Sequence, residues 1–218
     1  MLKCNQEFNR METHMADLLP ALTGRFACRE FTGKAVSDAD LQTILEAGRI
    51  APSGFGMEPW RFMVVRTAEA RSRAASACFN QTPATSAPLL IAIIALVDAL
   101  RPDSAYVQAR LGAEAGGGPV PDELKAAYRG FYEHADARDW AIGQCNFAAA
   151  QMMGQATSQG LATCPIGGFD EAALASALNL PAGEVPALVL ALGYCADRQG
   201  ERRRKARQEC WQEHQHSA

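Results

Sequence analysis

No Cys-x-x-Cys pair occurs anywhere in the 218 residues, and the seven cysteines (Cys4, Cys28, Cys78, Cys145, Cys164, Cys195, Cys210) are odd in number and widely scattered. That distribution argues against a disulfide framework and predicts free thiols in a reducing compartment. Long hydrophobic runs are also missing. The longest, Leu89 to Val97, falls far short of the ~20 residues that a membrane-spanning helix needs. Met1 to Met15 carry Glu7, Glu12 and His14 without an apolar core, so no secretory signal is expected there. There is no excess of positive charge: the net charge is −3, which supplies no general attraction to nucleic acid or to an anionic membrane. A cytoplasmic protein that binds neither is the expectation.

Several arrangements that carry chemistry are absent too. No Gly-x-Gly-x-x-Gly follows a strand pattern, no phosphate loop ends in Gly-Lys-Ser/Thr, and no Gly-x-Ser-x-Gly elbow occurs. Dinucleotide folds, nucleotidases and serine hydrolases of the elbow type therefore lose their main support. The four histidines, His14, His134, His214 and His216, are far apart or in the tail, and no metal site is expected. With no acid–base pair in view, a bound cofactor is the natural carrier of the reaction.

What is present is ordinary globular material, 48% hydrophobic and 21% charged, long enough for one sizeable core. Ser37 and Asp40 predict a helix cap, with Leu41, Ile44, Leu45 and Gly48 following at helical spacing until Pro52. Trp60 to Arg66 and Leu89 to Val97 read as buried strands, with a helix over Glu69 to Phe79 and a loop over Asn80 to Pro88 between them. Gly116-Gly117-Gly118-Pro119 separates two short helix candidates, the second over Asp122 to His134. Asp139 to Gln159 is the longest predicted helix, small-sided and ended by Gly160. Asp170 caps a helix through Leu180, and Val185 to Leu192 is the last core strand.

The chain is organised around Gly24 to Arg66. Arg25 and Arg29 lie four residues apart, on one side if the segment turns helically, and a loop rich in Pro, Ser and Gly runs from Ala51 to Trp60. Cations and free amides together suit an anionic ligand. An ordinary helix–loop–strand with surface arginines fits the same pattern. Six further cations follow Tyr194, namely Arg198, Arg202, Arg203, Arg204, Lys205 and Arg207.

Three separated stretches decide more than these patterns do. Arg25-Phe26-Ala27-Cys28-Arg29-Glu30-Phe31, then Ala47-Gly48-Arg49-Ile50-Ala51-Pro52-Ser53 with Glu58-Pro59-Trp60-Arg61-Phe62, then Cys164-Pro165-Ile166-Gly167-Gly168-Phe169-Asp170 with Ala191-Leu192-Gly193-Tyr194, occur in one order. Together they resemble the FMN-dependent nitroreductase family from about Leu18 to about Glu209. The resemblance implies an α+β fold, a mainly antiparallel sheet flanked by helices, assembled as an intertwined homodimer. Its domain would span residues 18–209, between an N-terminal extension (1–17) and a C-terminal tail (210–218).

The resemblance implies a set of cofactor-binding residues, with catalysis left to FMN. Arg25 and Arg29 would contact the flavin phosphate and ring edge. Phe26 and Ala27 lie between them, with Ala27 where serine is frequent. Pro52, Ser53 and Gly54 would come from the second subunit, with Gly56 where asparagine is common. Asn80 would contact the ring or ribityl chain and Gln144 the ribityl chain. Amides of Pro165-Ile166-Gly167-Gly168 would face the ring, and Gly167 stands where many relatives have glutamate. Lys205 and Arg207 would reach the phosphate, Arg203 and Arg204 being the fallback, unless the whole tail is a solvated basic face. Phe131 and Tyr132 either line the substrate pocket or pack a surface helix, and Trp60 is expected in the core.

The implied activity is hydride transfer from NADH or NADPH through FMN to a nitroaromatic, quinone or similar acceptor, in ping-pong order. The alternatives are a specialised enzyme of the same fold (enone reductase, dehalogenase or flavin-consuming enzyme) and a flavin-binding protein without turnover.

Overall fold

The structure, a computed structural model, describes residues 17–196 and 200–214. The expected N-terminal extension up to residue 16 (with Cys4 and His14), Arg198 of the basic tail, and residues 215–218 with His216 lie outside these ranges.

Four strands form one sheet: β1 (Trp60–Val65), β2 (Leu89–Leu96), β3 (Ala162–Ile166) and β4 (Glu184–Gly193). Their order is β1-β2-β4-β3, and every neighbouring pair is antiparallel. The apolar run that makes β2 is explained by its central place. Leu89, Ile91, Ile93 and Ala95 enter one buried cluster, while Leu90, Ala92 and Ile94 enter a second on the opposite face. A strand covered on both faces has no reason to alternate. Pro186 sits in the internal strand β4 beside a register shift at Ile93/Ile94 of β2, an irregularity that accommodates a residue lacking an N–H.

Helices cover both faces. On the first lie α2 (Asp38–Arg49) and the 22-residue α7 (Ala137–Ser158), with α6 (Asp122–His134) beside them. On the second lie α3 (Ala68–Ala77) and α8 (Glu171–Ala177). Capping follows the sequence closely. The Ser37 Oγ accepts from the Asp40 amide at 3.1 Å, and the Asp136 carboxylate accepts from the Asp139 amide at 2.9 Å. Where α2 meets α7, a Cβ on Gly48 would stand 2.2 Å from the Met152 Cε. A larger residue there would force the Met152 side chain to move.

The remaining helices are short: α1 (Pro20–Gly24), α4 (Thr82–Ser86), α5 (Ala105–Glu114) and α9 (Arg207–Cys210). The expected loop from Asn80 to Pro88 thus contains a helix, because Pro83 in the first turn presets a helical φ without losing a needed donor. Two helices end earlier than expected. Phe79 and Asn80 (φ +56° and +50°) terminate α3, and Asn179 (φ +52°) ends the helix expected to reach Leu180.

The cysteine reading is corrected. Cys28 and Cys195 form a disulfide across 167 residues of sequence; Cys78, Cys145, Cys164 and Cys210 are free. Bridges of Ala27 with Thr163 and of Phe31 with Cys195 bring the two segments together, a juxtaposition that cysteine spacing could not show. The thiol argument for a reducing compartment falls with it. No helix of the described residues is long and apolar enough to cross a membrane.

Candidate functional site

The residues expected at a flavin divide into two sets, and the sheet separates them. The first set gathers at the β3 edge, on the second face. The Cys28 amide donates to the Thr163 carbonyl at 3.1 Å, and the Arg29 Nη1 lies 3.8 Å from the Cys164 Sγ. Ile166 belongs to the second buried cluster, and the half-buried Phe26 and Ala27 pack against it. Pro165 and Ile166 close β3, and Gly167 and Gly168 follow as exposed backbone. The end of α3 is pinned beside this turn: the Gln81 Nε2 donates to Cys78 O at 2.9 Å and to Gly168 O at 2.7 Å, and the Asp170 amide donates to Ala77 O at 2.9 Å. Asn80, exposed and left-handed, is adjacent in the chain. Burial pushes the Cys164 thiol up, against the opposing pull of Arg29. It is held as a thiol, not a thiolate nucleophile.

The second set gathers before β1, at the other edge and on the first face. Pro52, Ser53 and Gly54 enter a single 3₁₀ turn, Gly54–Gly56, in which Phe55 and Gly56 have φ of +52° and +58°, and Glu58 follows at +43°. Left-handed Phe and Glu are strained and persist only where their surroundings over-determine them. The surroundings do so here. The Glu58 amide donates to the Ser53 Oγ at 2.8 Å. From α5, the Arg110 Nε donates to Gly56 O at 2.7 Å and its Nη2 to the Glu58 carboxylate at 2.6 Å. The Tyr106 hydroxyl, within 2.8 Å of Met57 O and 2.7 Å of Glu58 O, shares its proton between them. Burial raises the Tyr106 pKa, keeping that proton in place. From α7, the Gln144 Oε1 accepts from the Gly54 amide at 2.9 Å.

Phe131 and Tyr132 are half-buried beside this loop. Phe55 meets Tyr128 and Phe131 at ring-centroid distances of 5.4 Å each, and Phe131 meets Trp140 at 5.1 Å. Tyr128 is buried in the core, while Phe55, Phe131, Tyr132 and Trp140 pack against it and stay partly exposed. Trp60 is buried.

In the tail, Arg202 reaches the early motif: its guanidinium donates to Arg25 O at 2.6 Å and also to Thr23 O. Lys205 and Arg207 are exposed, Arg207 lying over the Trp211 ring at 5.9 Å. Sequence reasoning missed Arg202, Gln81, Tyr106 and Arg110. All four act on backbone carbonyls, and such contacts leave no residue pattern.

The two sets are on opposite faces of the sheet and at strands separated by two others, about 14 Å across at ordinary strand spacing. The first set offers arginines and exposed glycine backbone, which suits a phosphate and a ring with carbonyl acceptors. The second offers a braced loop and an aromatic wall.

The model of the nitroreductase family matches residues 22–194. A Thermus thermophilus protein named NADH dehydrogenase is 31% identical over 185 residues, covering 83% of this chain and 88% of that protein. Bacillus subtilis YdgI, provisionally named an NAD(P)H nitroreductase, is 29% identical over 191 residues, with 83% and 90% covered. Among solved structures, a protein of Exiguobacterium sibiricum in complex with FMN is 25% identical, with a TM-score of 0.75 over 91% of this chain and 97% of that one. With three spaced motifs, an antiparallel sheet between helices, and a family match covering most of the sequence, this chain belongs to the nitroreductase family.

Proposed function

We propose that the protein is an FMN-dependent oxidoreductase that works as a homodimer, each site built from the β3-edge set of one protomer and the pre-β1 loop of the other. The observation that carries this reading is the division of the expected site residues between opposite edges and faces of one sheet. A single chain cannot close them around one ligand, whereas a two-fold partner can supply the missing half twice. The exposed side of α7 supports the assembly: Gly143 and Gly154 have open space where a Cβ would stand, and Phe147 is 51% exposed between them. The FMN-bound relative and the names of the others support the cofactor and the donor.

Arg25, Arg29, Lys205 and Arg207 would hold the phosphate by charge-assisted hydrogen bonds. Backbone amides of Ile166, Gly167 and Gly168, with Asn80, would orient the ring; Pro52, Ser53, Gly54 and Gln144 of the second protomer would close over it. Phe131 and Tyr132 would wall the pocket and exclude water. When bound, FMN would supply two-electron chemistry, accepting hydride from NADH or NADPH and passing electrons to a nitroaromatic, quinone or similar acceptor in ping-pong order.

The test is direct. The purified protein should be yellow and release FMN, not FAD, on denaturation, and oxidise NADH or NADPH faster when a nitroaromatic is added. A colourless protein that takes up no added FMN would sink the proposal. Turnover with enones alone would move it to a specialised reductase, and flavin binding without turnover to a storage role.

A further inference from the structure

We propose that the Cys28–Cys195 disulfide is a redox-modification site, whose reduction unfastens the chain after β4 from residues 23–31 and thereby loosens the first half of the flavin site. The flavin part rests on the FMN reading above; the unfastening does not.

The geometry is that of a strap. Residues 194–196 run back along residues 32–30 in antiparallel sense, and Arg202 reaches the carbonyls of Arg25 and Thr23. The Thr32 amide donates to Tyr194 O at 2.9 Å, the Ala196 amide donates to Glu30 O at 2.9 Å, and Arg202 donates to Arg25 O at 2.6 Å. The disulfide is the covalent tie in this series, with Cys28 in sequence between Arg25 and Arg29. Glu30 and Ala196 are exposed, so the hydrogen bonds at this point compete with water and hold weakly without it. The strap leads directly into Lys205 and Arg207. The disulfide is thus the one covalent tie between the two ends of the proposed phosphate seat.

Access favours reduction at one sulfur. Cys28 is fully buried, while Cys195 is partly exposed. The thiolate of a dithiol reductant attacks the Cys195 Sγ, forming a mixed disulfide and releasing Cys28 as a thiolate that takes up a proton. The second thiol of the reductant then attacks its own half of the mixed disulfide, and Cys195 leaves as a thiol. Two electrons and two protons pass from the dithiol to the cysteine pair. Air oxidation or a small-molecule disulfide reverses the exchange.

The test uses the full chain, oxidised and after dithiothreitol, with thiol alkylation, hydrogen exchange and flavin titration. Reduction should raise the number of alkylatable cysteines by two. A count that is already at its reduced value in oxidised protein overturns the site. In flavin-free protein, the amides of Cys28, Thr32 and Ala196 should exchange at least ten-fold faster on reduction while α7 is unchanged; no change overturns the unfastening. With FMN, the apparent Kd should rise about ten-fold on reduction in the wild type, stand at the raised value in both states of Cys195→Ser, and respond as wild type in Cys210→Ser. An unchanged Kd overturns the effect on the flavin site and leaves the FMN reading intact. Failure to take up FMN in either state refutes the FMN reading, and with it the effect on the flavin site, while the exchange rates still decide the strap.

Discussion

Gly54 and Gln144, ninety residues apart in the chain, are joined by a 2.9 Å hydrogen bond from the Gly54 amide to the Gln144 Oε1. It ties the strained turn before β1 to the long helix that crosses the sheet. Both residues were expected at the flavin for separate reasons, and within one protomer each holds the other in place. Gln144→Ala removes the acceptor. A neutral hydrogen bond within the protein contributes about 0.5–1.5 kcal/mol to stability, so thermal stability should fall modestly, and FMN affinity should fall as the Gly54 turn loosens, by up to about 10-fold. Gln144→Glu keeps an acceptor oxygen and should retain most of the binding. Fluorescence titration of both variants checks the contrast.

Gly56 is constrained twice, by its φ of +58° and by Glu114, whose Oε1 would stand 1.9 Å from an added Cβ. Gly56→Ala should destabilise the fold by about 1–3 kcal/mol in urea unfolding. Adding Glu114→Ala should recover the steric share and leave only the left-handed backbone share, about 1 kcal/mol. If the double variant is no more stable than the single one, Glu114 is not the obstacle.

The basic tail has two separable roles. Arg207→Ala removes a proposed phosphate contact worth about 1.5–3 kcal/mol, so FMN affinity should drop by one to two powers of ten. Riboflavin, lacking the phosphate, should bind that variant as it binds the wild type. Arg202→Ala instead frees the carbonyls of Thr23 and Arg25 and should weaken FMN and riboflavin alike. Identical effects of the two substitutions on both ligands would return the tail to a general basic face.

Alkaline pH should unfold the protein through buried thiols. Desolvation raises Cys78 from 9.0 to about 11 and Cys145 from 9.0 to about 12. Because the folded pKa values lie above the unfolded ones, their contribution is fully present below pH 9 and is lost as pH rises through 9 toward 11 and 12. Each group adds a slope of about 1.4 kcal/mol per pH unit in that window. The melting temperature should therefore fall steeply above pH 9, and less steeply in Cys145→Ala. An equal slope in that variant would exclude Cys145 as a contributor.

Elements that bury a whole face or end on a strong signal were legible in the sequence. β2 showed as an unbroken apolar run because both its faces are covered, and α2 showed because Ser37 and Asp40 cap it within one turn. The five-residue α4 did not show, since a helix that short has no period to detect. The Cys28–Cys195 bond was hidden by a sequence separation of 167. At the site, the motifs named residues but not their partners. Arg110, Tyr106, Gln81 and Arg202 each address a main-chain carbonyl, which carries no residue identity. Nor could sequence order reveal that Arg29 and Gly54 lie across the sheet from each other; that follows only from the strand order β1-β2-β4-β3.

The same strand order has a genetic consequence. If each site draws Arg29 from one chain and Gln144 from the other, two defective alleles can rescue one another. In a mixed dimer of an Arg29→Ala chain with a Gln144→Ala chain, one pocket collects both lesions and the other receives none. Coexpression would then restore a class of wild-type pockets that neither parent makes alone, at up to half the sites of each mixed dimer.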